Sequence, residues 1–197
     1  MQIILGIGNP ESRYQLNRHN VGFMFLDYFA QEHSLKFKPS KKDYYFCQGF
    51  IDSNKFYLIK PTTYVNNSGI AAKQILDLYN IDIKNFLLIC DDINLITGKI
   101  RMRSSGGDGG HNGLASVIYH LNSDQFPRLR IGIGNDFEEG FLSDYVLSDF
   151  EEKEKNKLIL TFKKASLLIK AFICGGVDAM FKVNSKLYNE NNSSEIS

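Results

Sequence analysis

A histidine and an aspartate that could act together in general-base catalysis lie at the ends of predicted elements. His19 occurs in the run RHNVGF, between a loop and the start of a predicted helix. Its imidazole titrates near neutral pH and can accept a proton from a reacting group. Such a base needs an acceptor that holds its ring, and Asp91, at the end of an apolar strand, is the candidate. The two residues predict a base and the carboxylate that orients it.

Three asparagines lie in turns that follow predicted strands or glycine-rich loops. They are Asn9 in GIGNP, Asn66 in KPTTYVNNSG and Asn112 in GGDGGHNG. An amide side chain offers a hydrogen-bond donor and an acceptor, so a cluster of the three would suit recognition of an amide or ester group. Taken singly, each asparagine is more often a turn former.

Other kinds of site are less well supported. GIGNP begins like a dinucleotide-binding fingerprint, but Glu11 stands where the third glycine is needed. No G-x-S-x-G sequence occurs, so a nucleophilic serine is not favoured. Asp91 and Asp92 with His19 or His111 could form a metal site, although no spacing of the H-E-x-x-H type supports one.

Basic residues alternate along two predicted strands. Lys99, Arg101 and Arg103 recur at every second position, and Arg128 and Arg130 repeat the pattern. Side chains at period two point to one face of a strand, so these residues predict a basic face suited to a phosphate backbone. A solvated strand face would have the same pattern.

The segment that follows has the opposite charge. Residues 134–156 contain eight acidic residues and two lysines, a net charge of −6. Such a segment cannot contact the polyanion that the basic face would bind. We expect it to face solvent or to form the rim of a substrate entrance.

Strands and helices alternate along the chain, which predicts an α/β fold: a single domain with a twisted, mixed β-sheet and helices on both faces. The periodicities predict strands at 2–5, 44–50, 55–60, 86–90, 98–103 and 128–133. They predict helices at 20–32, 68–79, 114–121 and 151–174, with a last short helix after a glycine break. Ligands of such sheets bind beyond the carboxyl ends of strands, where the polar segments after Leu5, Lys60 and Cys90 lie.

Composition narrows the class of protein. The 197 residues, 43% of them hydrophobic, suffice for one core, so we expect one domain over 1–188 and a polar, disordered tail over 189–197. A net charge of +1 excludes a histone-like protein. Cys47, Cys90 and Cys174 indicate neither a disulfide framework nor a zinc site. No signal peptide and no run of 18 apolar residues is visible, which predicts a soluble, cytoplasmic protein with no membrane association.

Five motifs occur in an order and spacing that resemble the bacterial-type peptidyl-tRNA hydrolase family. They are GIGNP with NRHNVGF, KPTTYVNNSG, CDDINL, TGKIRMRSSGGDGGHNGL and FPRLRIGIG, and the resemblance covers about residues 2–147. It implies a monomeric enzyme without metal or cofactor that cleaves the ester between a peptide and the terminal ribose of a tRNA. Its partner would be peptidyl-tRNA, bound at the acceptor end and the phosphate backbone.

The resemblance also implies a role for individual residues. His19 would be the catalytic base, Asp91 the carboxylate that keeps it basic, and Asn9 the residue that distinguishes N-blocked from free aminoacyl groups. The remaining matched positions would contact tRNA or peptide: Tyr14, Tyr64, Asn66, Asn112, His111, Arg103 and Arg130, the last as part of a phosphate clamp.

One alternative belongs to a different functional class. Some chloroplast splicing factors resemble this family and bind RNA without an established hydrolase role. That interpretation would be favoured if the base, its carboxylate or the asparagines were missing, and this sequence retains all of them.

Overall fold

The computed structural model describes residues 1–194 of the chain, which contain one seven-stranded sheet and five α-helices. The strands are β1 (Gln2–Gly6), β2 (Lys38–Pro39), β3 (Tyr44–Ile51), β4 (Asn54–Pro61), β5 (Phe86–Asp92), β6 (Ile100–Arg103) and β7 (Arg128–Gly132). The helices are α1 (Val21–Glu32), α2 (Ser68–Tyr79), α3 (Asn112–Leu121), α4 (Leu142–Val146) and α5 (Glu152–Ser194).

The sheet is mixed, with four parallel strands in its centre. The strand order is β2-β3-β4-β1-β5-β7-β6. Strand β1 pairs in parallel with β4 and β5, and β5 pairs in parallel with β7. The hairpin partner β3 and the edge strand β6 are antiparallel to their neighbours. The predicted α/β class with a mixed sheet is confirmed.

Apolar side chains cover both faces of the central strands. Ile4 and Leu87 pack in the core under α1 and α5, whereas Ile3, Leu5 and Leu88 pack in the core under α2 and α3. All five side chains are fully buried, each contributing roughly 1.5–3 kcal/mol. Burial on both faces explains why β1 and β5 are continuous apolar runs in the sequence.

The four parallel strands end at the same edge of the sheet. The segments that leave β1, β4, β5 and β7 at this edge are residues 7–20, 62–67, 93–99 and 133–141. Three of these segments contain the polar motifs of the sequence. The topology therefore gathers most of the predicted site residues at one end of the molecule.

Several element boundaries differ from the prediction. Strand β5 continues through Asp92, so both aspartates belong to the strand, and α3 begins at Asn112, two residues early. The two-residue strand β2 and the five-residue helix α4 were not predicted. Helix α4 lies in the acidic segment. Its few apolar residues are too short a stretch to show a helical period among the charged residues around them.

The last helix is longer than expected. Helix α5 runs from Glu152 to Ser194 and is interrupted at Gly176, whose φ of 71° and ψ of −163° are accessible to glycine. The tail predicted to be disordered covers residues 189–197; helix α5 continues through Ser194, and residues 195–197 lie outside the described part of the chain. Leu187 still packs against the core, and adding residues to an existing helix costs little free energy compared with starting a new one.

Within residues 1–194, no helix combines the length and apolarity needed to cross a membrane.

Helix α2 packs closely against α3 at a glycine. A Cβ atom at Gly69 would collide with the carbonyl oxygen of Ser116 and lie 2.6 Å from Nδ1 of His120, both on α3. The Gly69 N–H also donates a hydrogen bond to the Ser116 hydroxyl, at 3.1 Å. This contact fixes the position of α3, which begins at Asn112.

We expect Gly69→Ala to lower the free energy of unfolding by about 1–3 kcal/mol, because the added methyl group must push α2 away from α3. Urea denaturation of the purified protein measures the change. Gly107→Ala is the matched control, since a Cβ atom there meets nothing within 4 Å. Equal denaturation midpoints for the two variants would contradict the close packing.

Candidate active site

His19 and Asp91 meet at the edge where the parallel strands end. His19 lies in a 3-10 turn, Arg18–Asn20, between β1 and α1. Asp91 lies at the end of β5 and is 2% exposed. The His19 Nδ1 atom is 2.7 Å from Asp91 Oδ1, the distance of a strong hydrogen bond.

A second histidine binds the same carboxylate oxygen. Nε2 of His111 is 2.8 Å from Asp91 Oδ1, and the rings of His111 and His19 are 5.0 Å apart. His111 also caps α3, because its Nδ1 accepts the N–H groups of Gly113 at 3.1 Å and Leu114 at 3.2 Å. An acceptor nitrogen carries no hydrogen, so the proton of His111 lies on Nε2 and is donated to Asp91.

This arrangement determines the state of His19. Asp91 accepts from both rings, so the His19 proton lies on Nδ1 and its Nε2 atom is left with a free lone pair. Burial lowers the pKa of His19, but the charge of Asp91 and its hydrogen bond outweigh burial and hold that pKa above the ordinary 6.5. Burial raises the pKa of Asp91, and the two histidines nevertheless bring it well below its usual range.

These residues border a cavity of about 450 Å³. Its polar wall includes His19, Asp91 and Asn112, and α4 supplies the apolar side chains Leu142 and Val146. The acidic segment therefore contributes apolar residues to the cavity. His19 therefore borders a volume large enough for a small organic group.

Asn9 is buried and joins two of the loops at this edge. Its backbone N–H donates to Asn20 Oδ1 at 2.8 Å, and Asn20 Nδ2 donates to the Asn9 carbonyl oxygen at 2.9 Å. Its side-chain Oδ1 accepts the N–H of Val65, at 3.1 Å, next to Asn66. Sequence reasoning missed Asn20, although its place beside His19 in the run RHN was an available signal.

An exposed patch lies beside the Asn9 loop. The Tyr64 hydroxyl donates a hydrogen bond to Glu11, which forms an ion pair with Arg13 at 3.0 Å. The Arg13 guanidinium lies 4.7 Å from the centre of the Tyr14 ring, and Asn66 is exposed on the neighbouring turn. Asn9, Asn66 and both tyrosines lie outside the cavity lining of the described chain.

Asp92 organises part of the predicted basic face. Its Oδ2 accepts from Arg101 Nη2 at 2.6 Å and from Arg130 Nη1 at 3.2 Å. Arg130 is 8% exposed, borders the cavity and also donates to the carbonyl oxygen of Asp108 at 3.3 Å. Arg103, two residues after Arg101 on β6, is exposed and lies outside the cavity lining. Arg103 is thus the more accessible of the two arginines predicted to bind tRNA.

Among the residues that the structure describes, His19, Asp91 and His111 could hold a metal ion, because their ligand atoms lie within 4.8 Å of one another. Asp92, the other predicted ligand, is bound to arginines instead. The separations of 2.7 and 2.8 Å between the histidine nitrogens and Asp91 are those of hydrogen bonds. The same atoms could serve as a base, its acceptor and a second supporting donor.

Known proteins resemble this chain over nearly its whole length. A sequence model of the peptidyl-tRNA hydrolase family matches residues 3–193. A peptidyl-tRNA hydrolase of Lachnospira eligens is 39% identical over 179 residues, which are 91% of this chain and 96% of that protein. One from Bacillus subtilis is 42% identical over 154 residues, covering 78% of this chain and 82% of the relative.

A solved structure has the same fold. The crystal structure of peptidyl-tRNA hydrolase from Acinetobacter baumannii superposes with a TM-score of 0.87 and 32% sequence identity, over 93% of this chain and 94% of the other. Sequence and fold agree over almost all of both chains. This chain therefore belongs to the peptidyl-tRNA hydrolase family of enzymes.

Proposed function

We propose that this enzyme hydrolyses the ester bond between a peptide, or another N-blocked aminoacyl group, and the terminal ribose of a tRNA, with His19 as the catalytic base. The products are a free peptide acid and a tRNA that can be charged again. The observation that carries this assignment is the Asp91 oxygen shared by His19 and His111 at the border of the cavity.

The reaction begins at His19. Its Nε2 atom takes a proton from water while Nδ1 donates to Asp91, and the resulting hydroxide attacks the ester carbonyl carbon. Asp91 stabilises the imidazolium that forms. The tetrahedral intermediate then collapses, and the ribose oxygen leaves with the proton that His19 returns.

The asparagines bind the substrate around this step. Asn112 borders the cavity next to His111, where an amide N–H group can stabilise the negative charge on the carbonyl oxygen. Asn9 and Asn66 recognise the N-blocked amide, and the hydrogen bond of Asn9 to Val65 holds the turn that carries Asn66 in place. A free ammonium group would be a poor partner for amide groups arranged to bind an uncharged amide.

The tRNA occupies the more basic side of the site. Arg103 and Arg130 meet its phosphates, and Tyr14 and Tyr64 offer aromatic faces at the rim for its terminal nucleotides. His111 lies between Asp91 and α3, which makes orientation of Asp91 its main role. The enzyme acts as a monomer in the cytoplasm, where its substrate occurs, and uses no metal or cofactor.

We expect His19→Ala to lower kcat roughly 10²- to 10⁴-fold, because general-base catalysis contributes about that much. The assay follows release of N-acetyl-aminoacyl groups from tRNA in excess EDTA, beside free aminoacyl-tRNA. His120→Gln is the control, because His120 lies in the last turn of α3 and outside the cavity lining.

Near-normal turnover of His19→Ala would refute the mechanism. Loss of wild-type turnover in EDTA would favour a metal site at His19, Asp91 and His111. Binding of the tRNA by the wild type without hydrolysis would favour the RNA-binding alternative.

The pH dependence follows from the raised pKa of His19. The base must be unprotonated, so kcat/KM should rise with pH and level off above a midpoint that lies above the ordinary 6.5. Asp91→Asn removes the negative charge that raises the pKa of His19 against the lowering effect of burial. The midpoint should therefore move to lower pH while the plateau falls roughly 10²- to 10⁴-fold. Asp77→Asn, on the exposed side of α2, is the control. An unchanged midpoint in Asp91→Asn would contradict the pairing.

Arg103 allows a test of the tRNA side. Arg103→Ala should raise KM and reduce the slope of log KM against log salt concentration by about 1, because one phosphate contact is lost. Lys182→Ala, an exposed residue of α5, is the matched control. A fall in kcat with KM and its salt dependence unchanged would show that Arg103 is not a phosphate ligand.

A further inference from the structure

A buried ion pair lies directly beside the catalytic turn. Arg18, the residue before His19, donates from Nη1 and Nη2 to the Glu154 carboxylate at 2.8 and 2.7 Å. The side chains of Arg18 and Glu154 are only 7% and 12% exposed. Thr97, in the segment that follows β5, also donates to Glu154 at 3.0 Å. The pair therefore joins three segments that are distant in sequence.

The same guanidinium contacts α4, the helix that lines the cavity, and the segment after β7. Nη1 of Arg18 donates to the carbonyl oxygen of Ile133 at 3.0 Å, and the Tyr145 hydroxyl donates to that oxygen at 2.8 Å. The guanidinium carbon of Arg18 lies 4.5 Å from the centre of the Tyr145 ring, within the range of a cation–π interaction. Tyr145 belongs to α4, so Arg18 binds the helix that lines the cavity.

Backbone hydrogen bonds attach the turn to the end of α4 as well. The Arg18 N–H donates to the carbonyl oxygen of Ser148 at 2.9 Å, and the Phe150 N–H donates to that of Leu16 at 3.3 Å. These contacts hold residues 16–18 against residues 148–150. The segment that contains the base and the segment that contains α4 are thus joined along one strip.

Helix α4 cannot hold its own position. It has five residues, fewer than the roughly 12 that an isolated helix needs, and none of its residues is buried. Its place beside the cavity comes from the packing of Tyr145 and Val146 against the core and from its links to Arg18 and Ile133. A buried ion pair is seldom a large net source of stability, so a positioning role is the better account of its presence.

We propose that the Arg18–Glu154 pair positions the α4 wall, with Leu142 and Val146, against the substrate side chain and so gives the enzyme a preference for bulky apolar aminoacyl groups. The inference rests on the proposed function. Arg18 and Glu154 are positioning residues, since they act through α4. The His19–Asp91 pair should survive their loss, because His111 holds Asp91 independently.

The experiment compares N-acetylphenylalanyl and N-acetylglycyl esters carried on the same tRNA. Single-turnover kinetics give the half-saturating enzyme concentration and the maximal rate for each. The variants are Glu154→Gln, Arg18→Lys and Tyr145→Phe. Glu32→Gln is the matched control, because it breaks another ion pair of α5, that of Lys170 with Glu32 on α1, at a point outside the cavity lining.

We expect Glu154→Gln to weaken binding of the phenylalanyl ester about tenfold relative to the glycyl ester, since loss of apolar contacts has effects of this size. The midpoint of the pH profile should stay in place, and Glu32→Gln should leave the ratio unchanged. Tyr145→Phe, which removes only the hydroxyl bond to Ile133, should change the ratio in the same direction and keeps the test valid if Glu154→Gln does not fold.

Equal losses for both esters, a shifted pH midpoint, or an unchanged ratio in both Glu154→Gln and Tyr145→Phe would overturn this inference alone. Failure of the wild type to hydrolyse either ester would overturn the proposed function, and this inference with it.

Discussion

The buried charge of Asp91 is the constraint on which the site depends. A carboxylate that is 2% exposed must be compensated by nearby donors, or its burial would cost several kcal/mol. Two imidazole N–H groups converge on one of its oxygens, and they come from the turn before α1 and the cap of α3. Each element that carries a histidine must therefore approach the end of β5. The glycine contact between α2 and α3 serves this requirement, since it fixes the helix that His111 caps.

Two further acids near the carboxyl ends of the parallel strands are also compensated by nearby donors. Asp92 binds Arg101 and Arg130, and Glu154 binds Arg18. The loops beyond the strands lack an apolar core of their own, so buried ion pairs and hydrogen bonds hold them to one another. Such networks stay well ordered only when their members are satisfied, which favours a single arrangement of the loops over a set of similar ones.

Much of the fold could be predicted because its signals are local. Strands β1 and β5 are unbroken apolar runs, and α1 has a clear helical period, so their positions follow from the sequence alone. The pairing of His19 with Asp91 could be predicted because each lies at the end of such an element. The bond from His111 to Asp91 could not, because it depends on α3 starting two residues early and on a histidine acting as its cap, a role for which sequence preferences are weak. The Arg18–Glu154 pair joins residues 136 positions apart, and nothing in either local sequence indicates a buried partner.

The two sides of the cavity differ in charge, which matters for the proposed reaction. The acidic segment would repel a polyanion, yet α4 within it gives the cavity apolar side chains, and its acids at 136, 138, 139 and 144 are exposed. The basic strands β6 and β7 lie beyond Asp92, and exposed Arg103 stands on that side. Under the proposed function, a tRNA would be attracted toward exposed Arg103 and repelled by the acidic segment. This asymmetry would direct the ribose toward the arginines and the aminoacyl group toward α4. The acidic segment would thus favour the productive direction of binding without contacting a phosphate.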